Sequence, residues 1–109
     1  RVKKYKQQTI MTVNFQYVNT DVSETLSEFI QTRLDKLGDK FEFIISAQVY
    51  IKHDDNEHDA GKICNIELSL PGPRIFATSS ERTYELAVNE TIADLTRQLK
   101  RRKETFKTY

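Results

Sequence analysis

The chain has 109 residues, with 17 lysines and arginines against 16 aspartates and glutamates, and a formal net charge of +1. That length suits one domain able to bury a core without staples. Its lone cysteine, Cys64, excludes an intramolecular disulfide or cysteine-cluster metal site and fits a reducing cytoplasm, and no apolar run approaches a membrane span.

Residues 1–10 precede Met11, which reads as a natural start. They form an N-terminal extension whose origin the sequence leaves open, and residues 11–109 form the domain. Thr12 to Val18 alternates, with Val13, Phe15 and Tyr17 on one face, as in a half-buried strand. Ser23 then offers an N-cap, with Glu24 and Glu28 in the first turns. Leu26, Phe29, Ile30, Leu34 and Leu37 recur at helical spacing, and Gly38 is expected to end this helix.

Ala47, Val49 and Ile51 alternate with Gln48, Tyr50 and Lys52 in a second strand. The polar run from His53 to Gly61 reads as a hairpin loop. Cys64, Ile66, Leu68 and Leu70 mark a third strand, and Pro71-Gly72-Pro73 a tight turn. Arg74 to Ser79 forms a short fourth strand, with Ile75 and Ala77 on one face. Ser79 or Ser80 is the expected cap of a second helix, whose stripe is Tyr84, Val88, Ile92, Leu95 and Leu99. No glycine or proline interrupts it up to Tyr109.

The order is β-α-β-β-β-α, an α+β fold. The three consecutive strands are antiparallel by their short connections, and the first two are parallel across the helical crossover. The two amphipathic helices cover one face of the four-stranded sheet. Asn14, Gln16, Gln48, Tyr50, Lys52, Asn65, Glu67 and Ser69 leave the other face solvated.

Charge is distributed unevenly. The last thirteen residues carry six cations and one anion, and Arg1 to Lys6 adds four cations. Residues 7–96 hold seven cations and fifteen anions. A cationic end on an acidic body points to a polyanionic partner, most commonly nucleic acid. With Tyr84 at zero and about 100° per residue, Lys103, Lys107 and Lys100 fall at roughly 100–160°, and Arg97 and Arg101 at roughly 220–260°. Arg102 returns to the apolar stripe, where a guanidinium is poorly accommodated unpaired. The helix is therefore expected to overrun the sheet after Leu99 and project cations around most of its circumference. Phe106, on the same stripe, is placed to stack or pack. Cations at a helix end are favoured by the macrodipole alone, but six within eleven positions exceed that effect. Arginine's fork suits phosphate especially well.

Other chemistry is weaker. Asp55, Glu57 and Asp59 are spaced like the start of a calcium loop, but Ala60 stands where the turn glycine belongs and Ile66 where the bidentate glutamate belongs. His53 and His58, five apart in a loop, make a poor zinc site. Cys64 reads as a small core residue. Ser79 and Ser80 are caps before they are nucleophiles, and there is no glycine-rich phosphate loop. The chain reads as a binding protein without a cofactor or small-molecule substrate, rather than an enzyme.

Four ordered segments carry a resemblance. They are Val22-Ser-Glu-Thr-Leu26 with Arg33-Leu-Asp-Lys-Leu37, then Ile66-Glu-Leu-Ser-Leu-Pro-Gly72, then Ile75-Phe-Ala77, and Ala87 through Arg97-Gln-Leu-Lys-Arg-Arg-Lys103. Together they resemble the short ribosome hibernation promoting factors and ribosome-associated inhibitors of the sigma-54 modulation protein family. The resemblance implies a fold shaped like double-stranded-RNA-binding domains. It implies binding to the 30S subunit between head and body, where messenger and transfer RNA would lie, with the 70S ribosome also a partner, so that translation stops and the ribosome is stored, often as a dimer. The cationic second helix would face 16S ribosomal RNA through Arg97, Lys100, Arg101, Arg102, Lys103 and Lys107. Lys36, Arg33 and Arg74 are secondary candidates, and Arg33 at the stripe's edge is placed to snorkel. A monomer off the ribosome is expected.

The chain departs from that pattern at two corners. Tyr17-Val-Asn-Thr20 replaces a segment that is often basic or histidine-containing. Arg82-Thr-Tyr84 replaces an acidic residue followed by Met-Tyr, so no role is carried to that corner. The sequence ends at Tyr109, without the extra C-terminal domain of the long factors, and self-driven ribosome dimerisation through that domain is not expected. A generic double-stranded-RNA-binding module and a protein-interaction domain are the alternatives. The first needs a contact from the hairpin loop, and here that loop is acidic.

Overall fold

Alternating apolar residues make a strand only when one face is buried, and here the helices supply the cover. The computed structural model describes residues 11–106. Lys107 and the extension 1–10 lie outside the described residues. The elements are β1 (Thr12–Val18), α1 (Glu24–Lys40), β2 (Ser46–His53), β3 (Lys62–Ser69), β4 (Ile75–Glu81) and α2 (Tyr84–Phe106). The sheet order is β1-β2-β3-β4, with β1 parallel to β2 and the other pairs antiparallel. This is the expected β-α-β-β-β-α arrangement.

The register places Val13 beside Ala47 and Ile66 beside both Val49 and Ala77, so the middle of one face is apolar. Ile30, Leu34, Val88, Leu95 and Leu99 are fully buried and share its core with Ala47, Ile51, Cys64, Ile66 and Leu68. The opposite face is uncovered and largely polar, although Phe76 stands 58% exposed on it. Thr91 is the one fully buried polar residue of the described core. Its hydroxyl lies 2.8 Å from the Ala87 carbonyl and 3.2 Å from the Cys64 carbonyl, linking α2 to β3.

Two tyrosines tie the helix starts to strand ends. The Tyr17 hydroxyl donates to the Ser23 carbonyl at 2.8 Å, and the Tyr84 hydroxyl donates to the Lys52 carbonyl at 2.9 Å. Ser23 caps α1 as expected, its Oγ accepting from the Leu26 N–H at 3.1 Å. The cap of α2 is different from the one expected. Ser79 and Ser80 pair with Cys64 and Ile63 inside β4. Thr83 caps instead, its Oγ1 accepting from the Leu86 N–H at 3.2 Å. The strand outcompetes the nearer serines because its ladder still has partners on β3.

Gly38 also differs from expectation. The helix runs through it to Lys40, and among the described glycines only Gly72 has a positive φ. Gly38 is a helix-interior residue packed beside Met11, and a Cβ there would lie 2.9 Å from the Met11 Cε. At the edge of the sheet, the Gln98 side-chain amide donates to the Phe76 carbonyl of β4 at 2.8 Å.

The two roles for Gly38 make opposite predictions. A left-handed cap would be destabilised by alanine, whereas a helix-interior glycine gains about 0.5–1 kcal/mol from it. The one close neighbour is the terminal methyl of Met11, an unbranched core side chain able to shift. Gly38→Ala is expected to raise the midpoint of chemical denaturation, and a clear decrease would restore the cap assignment.

Candidate nucleic-acid interface

Both helices start beside the same ends of the strands, because Tyr17 meets Ser23 where β1 ends and Tyr84 meets Lys52 where β2 ends. They finish together at the opposite end, where Met11 meets Gly38 and Arg102 meets Pro71. Two macrodipoles thus turn their negative ends to one pole, and cations there are stabilised. The acidic hairpin between β2 and β3 occupies the other pole. There the Asn19 amide donates to the His53 carbonyl at 2.9 Å and to Asp55 at 3.3 Å. Asp54 accepts from the Asn56 N–H at 2.9 Å, so its carboxylate shapes the loop.

The cations of α2 divide into two groups. Lys100, Arg101 and Lys103 are exposed, as is Arg97, which lies 3.6 Å from Asp94 one turn earlier. Arg102 is half-buried, and its Nη1 and Nη2 donate to the carbonyls of Pro71 (2.9 Å) and Pro73 (2.7 Å). Its guanidinium fills the space beside Gly72, where any Cβ would meet Nη1 at 2.9 Å. Gly72 also needs its φ of 95°, so glycine serves both the turn and the arginine.

This anchor corrects the expectation of a freely projecting helix end. Past Leu99, Arg102 holds α2 to the β3–β4 turn, and Phe106 meets Phe43 edge-on with centroids 5.0 Å apart. Phe43 in turn meets Phe41 at 6.0 Å. The last turns therefore rest on the α1–β2 connection, and their cations point from a fixed support.

The secondary candidates separate. Lys36 is exposed on α1. Arg33 lies half-buried over the Phe29 ring at 4.7 Å, a snorkelled packing role. Arg74 is exposed but sits on the uncovered face, its Nη1 2.6 Å from Glu67 Oε2, and it does not join the α2 group. Lys40 was missed because α1 was expected to stop at Gly38. Continuing the helix would have placed it one turn beyond Lys36 on the same face. Lys40 and Lys103 both reach the Phe41 ring, at 5.7 and 5.9 Å.

Cys64 is buried in the core, and burial pushes its thiol up to about 11 despite the Thr91 hydrogen bond, so it stays protonated at neutral pH. Among the described residues no group of three His, Cys, Asp or Glu side chains is placed to hold a metal. None of the described helices is long and apolar enough to cross a membrane.

Residues 13–107 match the family model described as sigma 54 modulation protein / S30EA ribosomal protein. The chain belongs to this family. A ribosome hibernation promoting factor from Salmonella typhimurium is 30% identical over 99 residues, spanning 91% of this chain and all of that protein. A ribosomal subunit interface protein from Coxiella burnetii superposes with a TM-score of 0.77 at 20% identity, covering 86% of this chain and 99% of that one. The N-terminal domain of Thermus thermophilus Protein Y gives 0.71 at 15% identity, covering 84% and 98%. These two likenesses establish a shared fold for the family member described here.

The division of the α2 cations is testable. Arg102→Ala is expected to cost about 1–2 kcal/mol of stability, from two partly exposed charged hydrogen bonds. Replacing Lys100, Arg101 and Lys103 together with alanine should leave thermal stability nearly unchanged. Melting curves that rank the two variants the other way would reverse the assignment.

Proposed function

We propose that this protein is a ribosome-binding translation silencer. Its cationic pole docks on 16S ribosomal RNA of the 30S subunit, in the channel used by messenger and transfer RNA. Occupancy then blocks those ligands and stores the ribosome in an inactive form. The observation that carries this reading is the convergence of Lys40, Lys100, Arg101 and Lys103 at the shared C-terminal end of both helices, in a member of this family. The name of the Salmonella relative denotes hibernation promotion, and that of the Coxiella relative denotes a subunit interface.

The mechanism needs no bond making. Exposed lysine and arginine side chains neutralise phosphates and release condensed counterions, which supplies salt-dependent affinity. Arg101 adds a planar fork suited to phosphate. The acidic hairpin is repelled by the same phosphates, so the molecule approaches pole first. Arg102 and Phe106 keep the basic turns fixed, which lowers the ordering cost of docking.

Co-sedimentation with purified 30S and 50S subunits at several salt concentrations tests this. Pelleting with 30S and not 50S is expected. If roughly five phosphates are neutralised, the log–log salt slope should be on the order of −3 to −5. The triple alanine variant at Lys100, Arg101 and Lys103 should flatten that slope. Equal pelleting with both subunits, or an unchanged slope, would sink the proposal. Comparable affinity for a short RNA duplex would favour a generic duplex-binding module.

A further inference from the structure

The cationic pole contains a concavity as well as a charged surface. A cavity of about 380 Å³ lies between the end of α1 and the last turns of α2. Lys40 and Phe41 bound it on one side, and Lys100, Arg101, Lys103 and Glu104 on the other. Four of these six side chains are cations. Phe41 is only 2% exposed, so its ring lies beneath the lysines and does not itself face the cavity. The Lys40 and Lys103 ammoniums are drawn to its ring from two different helices, so like charges converge at the cavity. An anion held between them is stabilised by both.

The walls have a second property. Lysine and arginine side chains line a cavity with their aliphatic stems while their charged heads stay at the rim. Aliphatic walls with cations at the mouth suit a flat ring carrying a phosphate. The volume lies at the low end of the roughly 300–1,000 Å³ typical of small-molecule sites. One nucleotide fills such a space. A duplex cannot, because its bases are stacked inward and only its backbone reaches a protein surface of this kind.

We propose that this cavity holds a single unpaired nucleotide of an RNA strand, with its ring against the lysine stems and its phosphate between Lys40 and Lys103. The inference rests on the reading of this pole as an RNA-contacting surface, and it names the kind of RNA contacted. Arg97 and Arg101, one turn apart along α2, track the backbone on one side of that nucleotide. A positive groove that tracks the backbone, with a flat side-chain surface for the base, is the general chemistry of single-strand binding.

Fluorescence anisotropy separates the possibilities, using a labelled six-nucleotide single-stranded RNA and a labelled twelve-base-pair RNA duplex at one salt concentration. The variants are Lys40→Gln at the cavity and Arg97→Gln outside it, with circular dichroism melts confirming that both fold. Lys40→Gln should weaken single-strand binding about tenfold, the scale of one charge-assisted hydrogen bond, and weaken duplex binding clearly less, by the loss of one phosphate-neutralising charge alone. Arg97→Gln should weaken both by similar factors. Equal loss of both RNAs in Lys40→Gln, or no loss of either, overturns the proposal. A nucleoside triphosphate that binds in a Lys40-dependent way, without Lys40-dependent binding of the hexamer, overturns the RNA source of the ligand. If the hexamer result holds while the wild-type protein fails to pellet with 30S subunits, the ribosome reading falls and the cavity assignment stands.

Discussion

The parallel pairing of β1 with β2 is the constraint on which the functional end depends. A parallel pair requires a crossover, and α1 supplies it by running back against both strands. Two short antiparallel connections then bring the chain to the end of β4, so α2 also runs back in the direction of α1. Two helices on one sheet face therefore end side by side. Had β1 paired antiparallel with β2, α1 would not have delivered Lys40 to the end of α2. Macrodipole, cavity and cation cluster all follow from that one choice of pairing.

The basic segment divides its arginines and lysines between structure and surface. Arg102 occupies the helix stripe where leucines stand in earlier turns, and the β3–β4 turn offers it two carbonyls in place of a core. Phe106 continues the same stripe onto Phe43. Neighbours one or two positions away face outward and keep their charge available. The same composition on an unsupported helix would fray, because its last four carbonyls lack partners and like charges crowd together. Anchoring by one arginine and one aromatic turns a charged tail into a fixed surface.

Much of this was legible from residue order. Strand alternation and the stripes Leu26–Leu37 and Tyr84–Leu99 located every element, and short connections determined the pairing. The errors came from residues with two competing uses. Gly38 has the composition of a helix stop, but the helix runs through it, packed beside Met11 from a segment 27 residues away. Ser79 and Ser80 have the composition of caps, but the ladder to β3 claims them and Thr83 caps instead. Arg102 was flagged as misplaced on an apolar stripe, yet its partners lie about 30 residues upstream and leave no local periodicity. The cavity was hidden for the same reason, since Lys40 meets Lys103 only through tertiary packing around Phe41.

The Gln98 contact with the Phe76 carbonyl bears on a different hazard. A protein that gathers on a polyanion becomes locally crowded, and an open sheet margin is then a template for pairing with another copy. Strand β4 is such a margin, and Phe76 stands exposed on it. By engaging one of its backbone carbonyls, Gln98 withholds an acceptor that an incoming strand would use. The helix that carries the charge also helps to guard the edge of the sheet against pairing with another copy.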